Sequence, residues 1–274
     1  MRCTVAGSCP DIREQIFREH MERKITAVIK AEAAGTLSGI QRARDLTESQ
    51  GLFFLSDLQD GDSFYENTEV AWVTGNPFLI AQAEEVVIGT LSKSSGIATM
   101  ARQALLKAGS RFRIVSGGWK KMPRQIKDLV RQAVLDGGIQ IRITDKPFVY
   151  LDKNYVRILG GVSKALQAVA SLGRITAIQI RGETGTVEEE AIEAAYGGAA
   201  IVMVDTGRRE HLVSVNKALR NKKLRSQVEI AFAGNISLDD IESLHHEDVD
   251  VVDIGYAILD APCLPMRFDV TGID

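Results

Sequence analysis

The sequence points to an α/β protein whose larger part is a parallel α/β barrel, and three observations carry that reading. From residue 111 onward, short apolar runs recur at regular intervals: 112–115, 133–136, 148–151, 176–181, 199–205, 228–234 and 249–255. Helical patterns fit between most of them, and strand-helix alternation of this kind gives a parallel sheet covered on both faces. The runs mostly end in polar residues or glycine, which favours a barrel, whose strand ends and following loops form the active face. The first hundred residues lack this rhythm and read as a separate, mixed region.

In chain order, residues 11–23 carry apolar positions at helical spacing among many charges, predicting an exposed helix. Residues 25–40 read as a strand, a turn at Gly35 and a second short strand, followed by a helix to about residue 50. Asp60-Gly61-Asp62 is an acidic turn, and 71–77 is a strand closed by Gly-Asn-Pro. From Phe78 to Ala108 the pattern is helical, with a break expected at Ser94-Ser95-Gly96. Within the barrel region, 124–133, 162–172, 186–197 and 210–219 read as helices. Residues 265–270 form one more strand after the barrel. The expected domains are 1–108, joined by 265–274, and 109–264. No internal repeat or low-complexity linker is visible.

Composition narrows the function. The chain has 274 residues, 45% hydrophobic and 25% charged, with a net charge of −3. No basic excess favours nucleic acid or a membrane surface. Three cysteines (Cys3, Cys9, Cys263) make no disulfide framework, and four histidines without a CxxC pair argue against a Cys/His metal site. No signal segment and no apolar run of about 18 residues is seen, so a cytoplasmic protein is expected.

The candidate site residues lie at the predicted strand ends. Gly234-Asn235 and Gly255 follow the last two barrel strands, where a glycine before a helix start offers backbone N–H groups to a phosphate. The plain alternative is two tight turns. Asp205 closes one strand and Glu183 follows another, and two carboxylates on one rim are a potential Mg²⁺ seat; Asp205 reads equally well as a helix cap. Lys120, Lys121, Arg142 and Lys153 follow three successive predicted strands and suit an anionic substrate. Each alone is a solvated helix start. Trp119 either stacks on a substrate ring or plugs its loop into the core. No histidine lies between His20 and His211, which excludes a histidine base in the first half of the barrel. His245 and His246 read as surface residues.

Over nearly its whole length the chain resembles the quinolinate phosphoribosyltransferase (carboxylating nicotinate-nucleotide pyrophosphorylase) family. SSGIATMAR (94–102) is close to the family's L-S-G-I-A-T, and KKMP (120–123) sits where the family has R-K-T-T-P. LDKNYV (151–156) takes the place of I-K-D-N-H-I, and EEEAIEAAYGGAAIVMVD resembles E-A-x-E-A-G-A-D-I-I-M-L-D. AFAGNISLDDI resembles A-S-G-N-I-x-x-x-N-I, and VDVVDIGYAILDAP resembles V-D-x-I-S-V-G-A-L-T-H-S-A-P. The resemblance implies an N-terminal α/β sandwich, an incomplete α/β barrel and a last strand returning to the first domain. It also implies a homodimer whose sites are completed by the partner. The implied reaction transfers phosphoribosyl from phosphoribosyl pyrophosphate (PRPP) to a pyridine carboxylate with Mg²⁺, releasing pyrophosphate.

The departures fall on functional positions. An arginine of the family's E-R-T-A-L-N falls at Glu85, and that of R-K-T-T-P falls at Trp119, while Lys120 matches the family lysine. The K-D-N-H lysine falls at Asp152, with Lys153 one place on and Tyr155 for the histidine. The E-V-E strand reads Gln179-Ile180-Arg181, leaving Glu183 as a substitute. The resemblance thus assigns Lys120, Lys153, Glu183 and Asp205 to catalysis and Trp119, Lys121, Arg142 and Tyr155 to substrate. Gly234, Asn235 and Gly255 would bind phosphate, with Mg²⁺ on Glu183 and Asp205. Three functions fit: the family reaction itself, a transferase with an altered acceptor, and a non-catalytic binder of an anionic or phosphorylated ligand. The retained cations favour the second.

Overall fold

The computed structural model describes residues 11–274; Cys3 and Cys9 lie outside them. The chain divides into two compact units, one running to Thr99 and resuming at Pro262–Asp274, the other spanning Met100–Ala261.

The first unit opens with α1 (Ile12–Ile16), capped by the Asp11 side chain. The helix expected over 11–23 ends there, and a single 3-10 turn, Arg18–His20, follows. None of its residues is buried, and without a packed face a short helix has little to sustain it. Next come β1 (Ile25–Ala31), β2 (Gly35–Thr36), α2 (Ile40–Ser49), β3 (Phe53–Leu55), β4 (Ser63–Phe64) and β5 (Glu69–Gly75). The helix α3 (Pro77–Ala108) then runs unbroken through Ser94-Ser95-Gly96, where a break was expected. These small residues serve close packing. Ser94 and Ser95 are fully buried, the Ser38 N–H donates to Ser95 Oγ, and a Cβ on Gly96 would lie 2.0 Å from the Pro262 carbonyl oxygen.

The second unit alternates as predicted, with one exception. Its elements are β6 (Arg113–Val115), α4 (Lys127–Asp136), β7 (Phe148–Leu151), α5 (Lys153–Leu159), α6 (Val162–Val169), β8 (Ile175–Ile180) and α7 (Val187–Tyr196). They continue with β9 (Ile201–Asp205), α8 (Arg209–Asn221), β10 (Glu229–Ala233), α9 (Asp240–Ser243), β11 (Val251–Asp253) and α10 (Tyr256–Leu259). The strand expected at 133–136 is instead the last turn of α4. Its buried residues Val130, Ala133 and Val134 follow helical, not alternating, spacing. The six strands are ordered β6-β11-β10-β9-β8-β7, and the pairs are parallel. The place of a seventh is marked by a single bridge from Gln140 to Val115. No pairing joins the Gln140 segment to β7, so the barrel is open along that seam.

Side-chain parity sets what the barrel holds. Ala177, Ile201, Met203, Ala231 and Val251 form the inner cluster. Two residues further along each strand bring Gln179, Asp205, Ala233 and Asp253 to the same side at the C-terminal ends. After α10 the chain leaves the barrel as β12 (Met266–Ile273), which pairs antiparallel with β1 from Ala31↔Met266 to Ile25↔Ile273. The first unit's main sheet is therefore ordered β12-β1-β5-β3. Among the described residues no helix is long and apolar enough to cross a membrane.

Candidate active site

A cavity of about 1120 Å³ opens at the C-terminal ends of the barrel strands and runs down the open seam, lined only by residues of the second unit. Lys120, Lys121, Arg142, Lys146, Lys153, Arg174 and Arg181 line it, against Asp145, Asp152, Asp205 and Asp253. The balance is cationic, as an anionic ligand requires.

The loop after β6 is placed by close backbone approach. A Cβ on Gly118 would lie 2.7 Å from Leu259 and 3.1 Å from the Gly255 Cα, so the glycine lets this loop settle on the start of α10. The Gly117 N–H donates to Asp253 Oδ1 at 3.0 Å. Trp119 is settled between its two readings. Its indole N–H donates to the Ile141 carbonyl at 3.0 Å, and the Arg131 guanidinium lies 4.7 Å from the ring centroid. The ring staples the loop to the 138–143 segment while still lining the cavity. Lys120 Nζ stands 5.0 Å above the Tyr150 ring. Burial, helped by Asp253, Asp205 and Asp152, raises the Tyr150 phenol above its ordinary value, so it stays neutral.

The ends of β7, β8 and β9 are tied laterally. Asp152 caps α5, its Oδ1 accepting from Asn154 and Tyr155 N–H. The Lys153 N–H donates to Gln179 Oε1 at 2.7 Å. The Gln179 amide donates to Asp205 Oδ2, which also accepts from Arg181 Nη1 at 2.6 Å. Beyond Arg181 the loop wraps a buried carboxylate. Glu190 accepts the N–H groups of Arg181, Gly182, Glu183 and Thr184 and the Thr184 hydroxyl. That satisfies a buried charge and fixes where Arg181 starts.

Nine of the eleven predicted site residues line the cavity: Trp119, Lys120, Lys121, Arg142, Lys153, Asp205, Gly234, Asn235 and Gly255. Glu183 and Tyr155 do not. Glu183 turns to Arg157, which grips it with two hydrogen bonds of 2.6 and 2.7 Å and holds the carboxyl below its usual range. Tyr155 projects outward, 54% exposed. The expected two-carboxylate Mg²⁺ seat is therefore not assembled: one member lies outside the cavity, and each is already bonded to an arginine. No group of three potential metal ligands occurs among the described residues. The donor set does not fit a protein-held Mg²⁺.

The glycine elements also differ from expectation. Both α9 and α10 have four residues, too short for an appreciable dipole. The start of α9 is closed by its own Ser237 and Asp240 side chains. What Gly234 provides is contact. At φ +112°, it meets Gly207 (φ +65°), and a Cβ on either would come within 2.4 Å of the other's backbone.

Asp253 escaped the sequence reading. It ends β11 two residues beyond inward-facing Val251, so strand parity alone would have placed it at the cavity floor. Burial there raises its carboxyl, and Asp205 adds to the rise; the Gly117 N–H, Lys120 and Lys121 act against it. Arg174 and Lys146 were missed because they precede β8 and β7 and reach the cavity only through the open seam.

Comparison with known proteins gives the same architecture a family. Residues 11–95 match the quinolinate phosphoribosyl transferase N-terminal domain, and residues 97–269 match the C-terminal domain of the same family. The chain belongs to the quinolinate phosphoribosyl transferase family. It is 25% identical over 250 residues to a probable carboxylating nicotinate-nucleotide pyrophosphorylase of Archaeoglobus fulgidus, covering 90% of this chain and 95% of the relative. To the carboxylating nicotinate-nucleotide pyrophosphorylase of Homo sapiens it is 28% identical over 209 residues, covering 76% and 69%. The solved nicotinate-nucleotide pyrophosphorylase of Pyrococcus furiosus superposes with a TM-score of 0.79 at 18% identity, covering 100% of this chain and 79% of the other. NadC from Streptococcus pyogenes gives 0.78 at 21% identity, covering 97% and 92%. At these identities the structures speak to the fold. The family match covers both units, and of the residues named above as departing from the family pattern all but Glu85 lie in the second.

Proposed function

We propose that this family member is a phosphoribosyltransferase that uses PRPP, releases pyrophosphate, and takes an acceptor different from quinolinate. The observation that carries the reading is the cationic cavity at the barrel mouth, inside the segment matched to the family's C-terminal domain. Lys120, Lys121, Arg142 and Lys153 line it, and none forms an ion pair within 4 Å among the described residues. Unmatched charge around a large cavity is suited to a diphosphate leaving group and an anionic base. Displacement at the ribose carbon then depends on positioning and electrostatics. The acceptor side is where the family pattern is rewritten. Trp119 is pinned to Ile141, Asp152 caps a helix, and Tyr155 faces away. The working form in this reading is a cytoplasmic homodimer, testable by light scattering.

The test is pyrophosphate release from PRPP with a panel of pyridine mono- and dicarboxylates. Release with an acceptor other than quinolinate, at least tenfold faster than with quinolinate, is expected. Quinolinate as the fastest acceptor would return the chain to the plain family reaction. PRPP binding without turnover on any acceptor would favour a second reading, a non-catalytic binder. That reading draws support from Asp205 and Glu183, both already engaged by arginines.

A further inference from the structure

We propose that the cavity holds the diphosphate end of its donor through side-chain cations centred on the Arg181–Asp205 pair, and that this binding needs no divalent cation. The inference rests on the PRPP reading above and adds to it how the charge of the diphosphate is met.

Three features of the strand ends support it. The Asp205 charge is already met by a cation of the protein: its Oδ2 accepts from both Arg181 Nη1 and the Gln179 amide. Gln179 is itself fixed by the Lys153 N–H, so β7, β8 and β9 present one connected polar edge. Arg181 is in turn aimed by that edge. Asp205 holds Nη1, Glu183 lies 3.8 Å from Nε, and the Glu190 carboxylate anchors its backbone N–H. No hydrogen bond occupies Nη2 among the described residues, and the side chain is 38% exposed. A guanidinium restrained on two atoms and open on the third is preorganised to donate to a phosphate oxygen. Lys120, Lys121 and Lys153 stand around the same cavity.

Two other carboxylates of the cavity, Asp152 and Asp253, are engaged by the backbone. Asp152 is engaged as a helix cap. Asp253 accepts from Gly117 on the floor. Mg²⁺ is held by carboxylate oxygens freed for it, along with substrate phosphates, and here the charge opposite the phosphates is supplied by nitrogen. A diphosphate already carrying Mg²⁺ has lost two negative charges. A cationic wall therefore gains nothing from the metal and loses part of its attraction.

Titration calorimetry with PRPP and with inorganic pyrophosphate tests this, each in excess Mg²⁺ and in EDTA. Affinity in EDTA equal to or tighter than in Mg²⁺ is expected. Arg181→Gln should weaken binding in EDTA tenfold or more, and Arg181→Lys should restore part of it. Lys223→Ala, outside the cavity, should change nothing. Thermal melting of each variant separates lost binding from lost folding, and the metal comparison on the unaltered protein needs no variant. Tight binding only with Mg²⁺, or an Arg181→Gln variant that binds as tightly as the parent, overturns the inference and leaves the PRPP reading standing. Binding of neither ligand under either condition overturns that reading, and the inference with it.

Discussion

The two ends of the parallel sheet use charge in opposite ways. At the N-terminal ends of the strands three arginines are matched, whereas Arg174, which lines the cavity, has no ion pair within 4 Å among the described residues. Arg113 meets Glu229 at 2.5 Å. Arg225 meets Asp248 at 2.6 Å and Asp250 at 2.9 Å, and also bonds the Asn216 side chain and the Val228 carbonyl. Arg220 pairs with Asp248 as well. At the C-terminal ends Lys120, Lys121 and Lys153 line a cavity without an ion-pair partner within 4 Å among the described residues. Unmatched like charges repel one another and cost stability, so the fold alone has no use for them there. The difference separates charge that holds the barrel together from charge kept for a ligand.

The largest effect should come from the matched end. Arg225→Ala removes five hydrogen bonds from a side chain only 15% exposed and leaves Asp250 without its ion pair, while Asp248 keeps Arg220. We expect a loss of about 3 kcal/mol in urea unfolding, with PRPP affinity unchanged; weakened binding would mean that the two ends are not independent. Next in size is Gly234→Ala, which places a Cβ 2.4 Å from Gly207 N at φ +112°. A loss of about 2 kcal/mol is expected. Gly198→Ala, at φ +83° with open space around it, should cost about 1 kcal/mol, which isolates the close approach from the backbone strain. Equal losses would show that the Gly207–Gly234 contact contributes nothing.

At the unmatched end, Lys153→Ala should lower PRPP affinity about tenfold, or about 1.4 kcal/mol, and leave the melting temperature where it was. A lowered melting temperature would place Lys153 with the structural charges. The smallest effect concerns Asp253. Because burial raises its carboxyl, ionising it costs the folded state, and stability falls as pH rises from the unfolded carboxylate range through the raised pKa. Asp253→Asn keeps an acceptor for the Gly117 N–H and removes that titration. The variant should melt slightly higher than the parent at pH 7, with the gain fading toward about pH 4. A gain independent of pH would rule the titration out as its cause.

Much of the barrel was legible in the sequence because its strands are short apolar runs between amphipathic helices, and period separates the two. It failed at 133–136, where AVLD has the look of a strand when read alone. Only the preceding Val130 shows the helical spacing that buries Ala133 and Val134. The break expected at Ser94-Ser95-Gly96 misread a close-packing signal as a helix terminator. In the site, Lys120, Lys121 and Lys153 were legible because a strand end fixes where its next residues go; Arg142 lines the cavity although the strand expected before it is the end of α4. Glu183 was not, since Arg157 captures it from 26 residues away. Asp253 was legible in principle, given the parity set by Val251.

The pairing of β12 with β1 has a consequence for how the chain is made. In order of synthesis the whole barrel lies between β1 and the strand that completes its sheet. While a ribosome builds residues 76–265, β1 has β5 on one side and bare backbone on the other, with the apolar Ile25, Ala27 and Ile29 on its buried face. At 5–20 residues per second, an estimate for translation in general, that edge stays open for roughly ten seconds or more. Such an edge is a template for pairing between chains. A nascent or truncated chain lacking its last dozen residues would therefore aggregate through its first unit, even with an intact barrel.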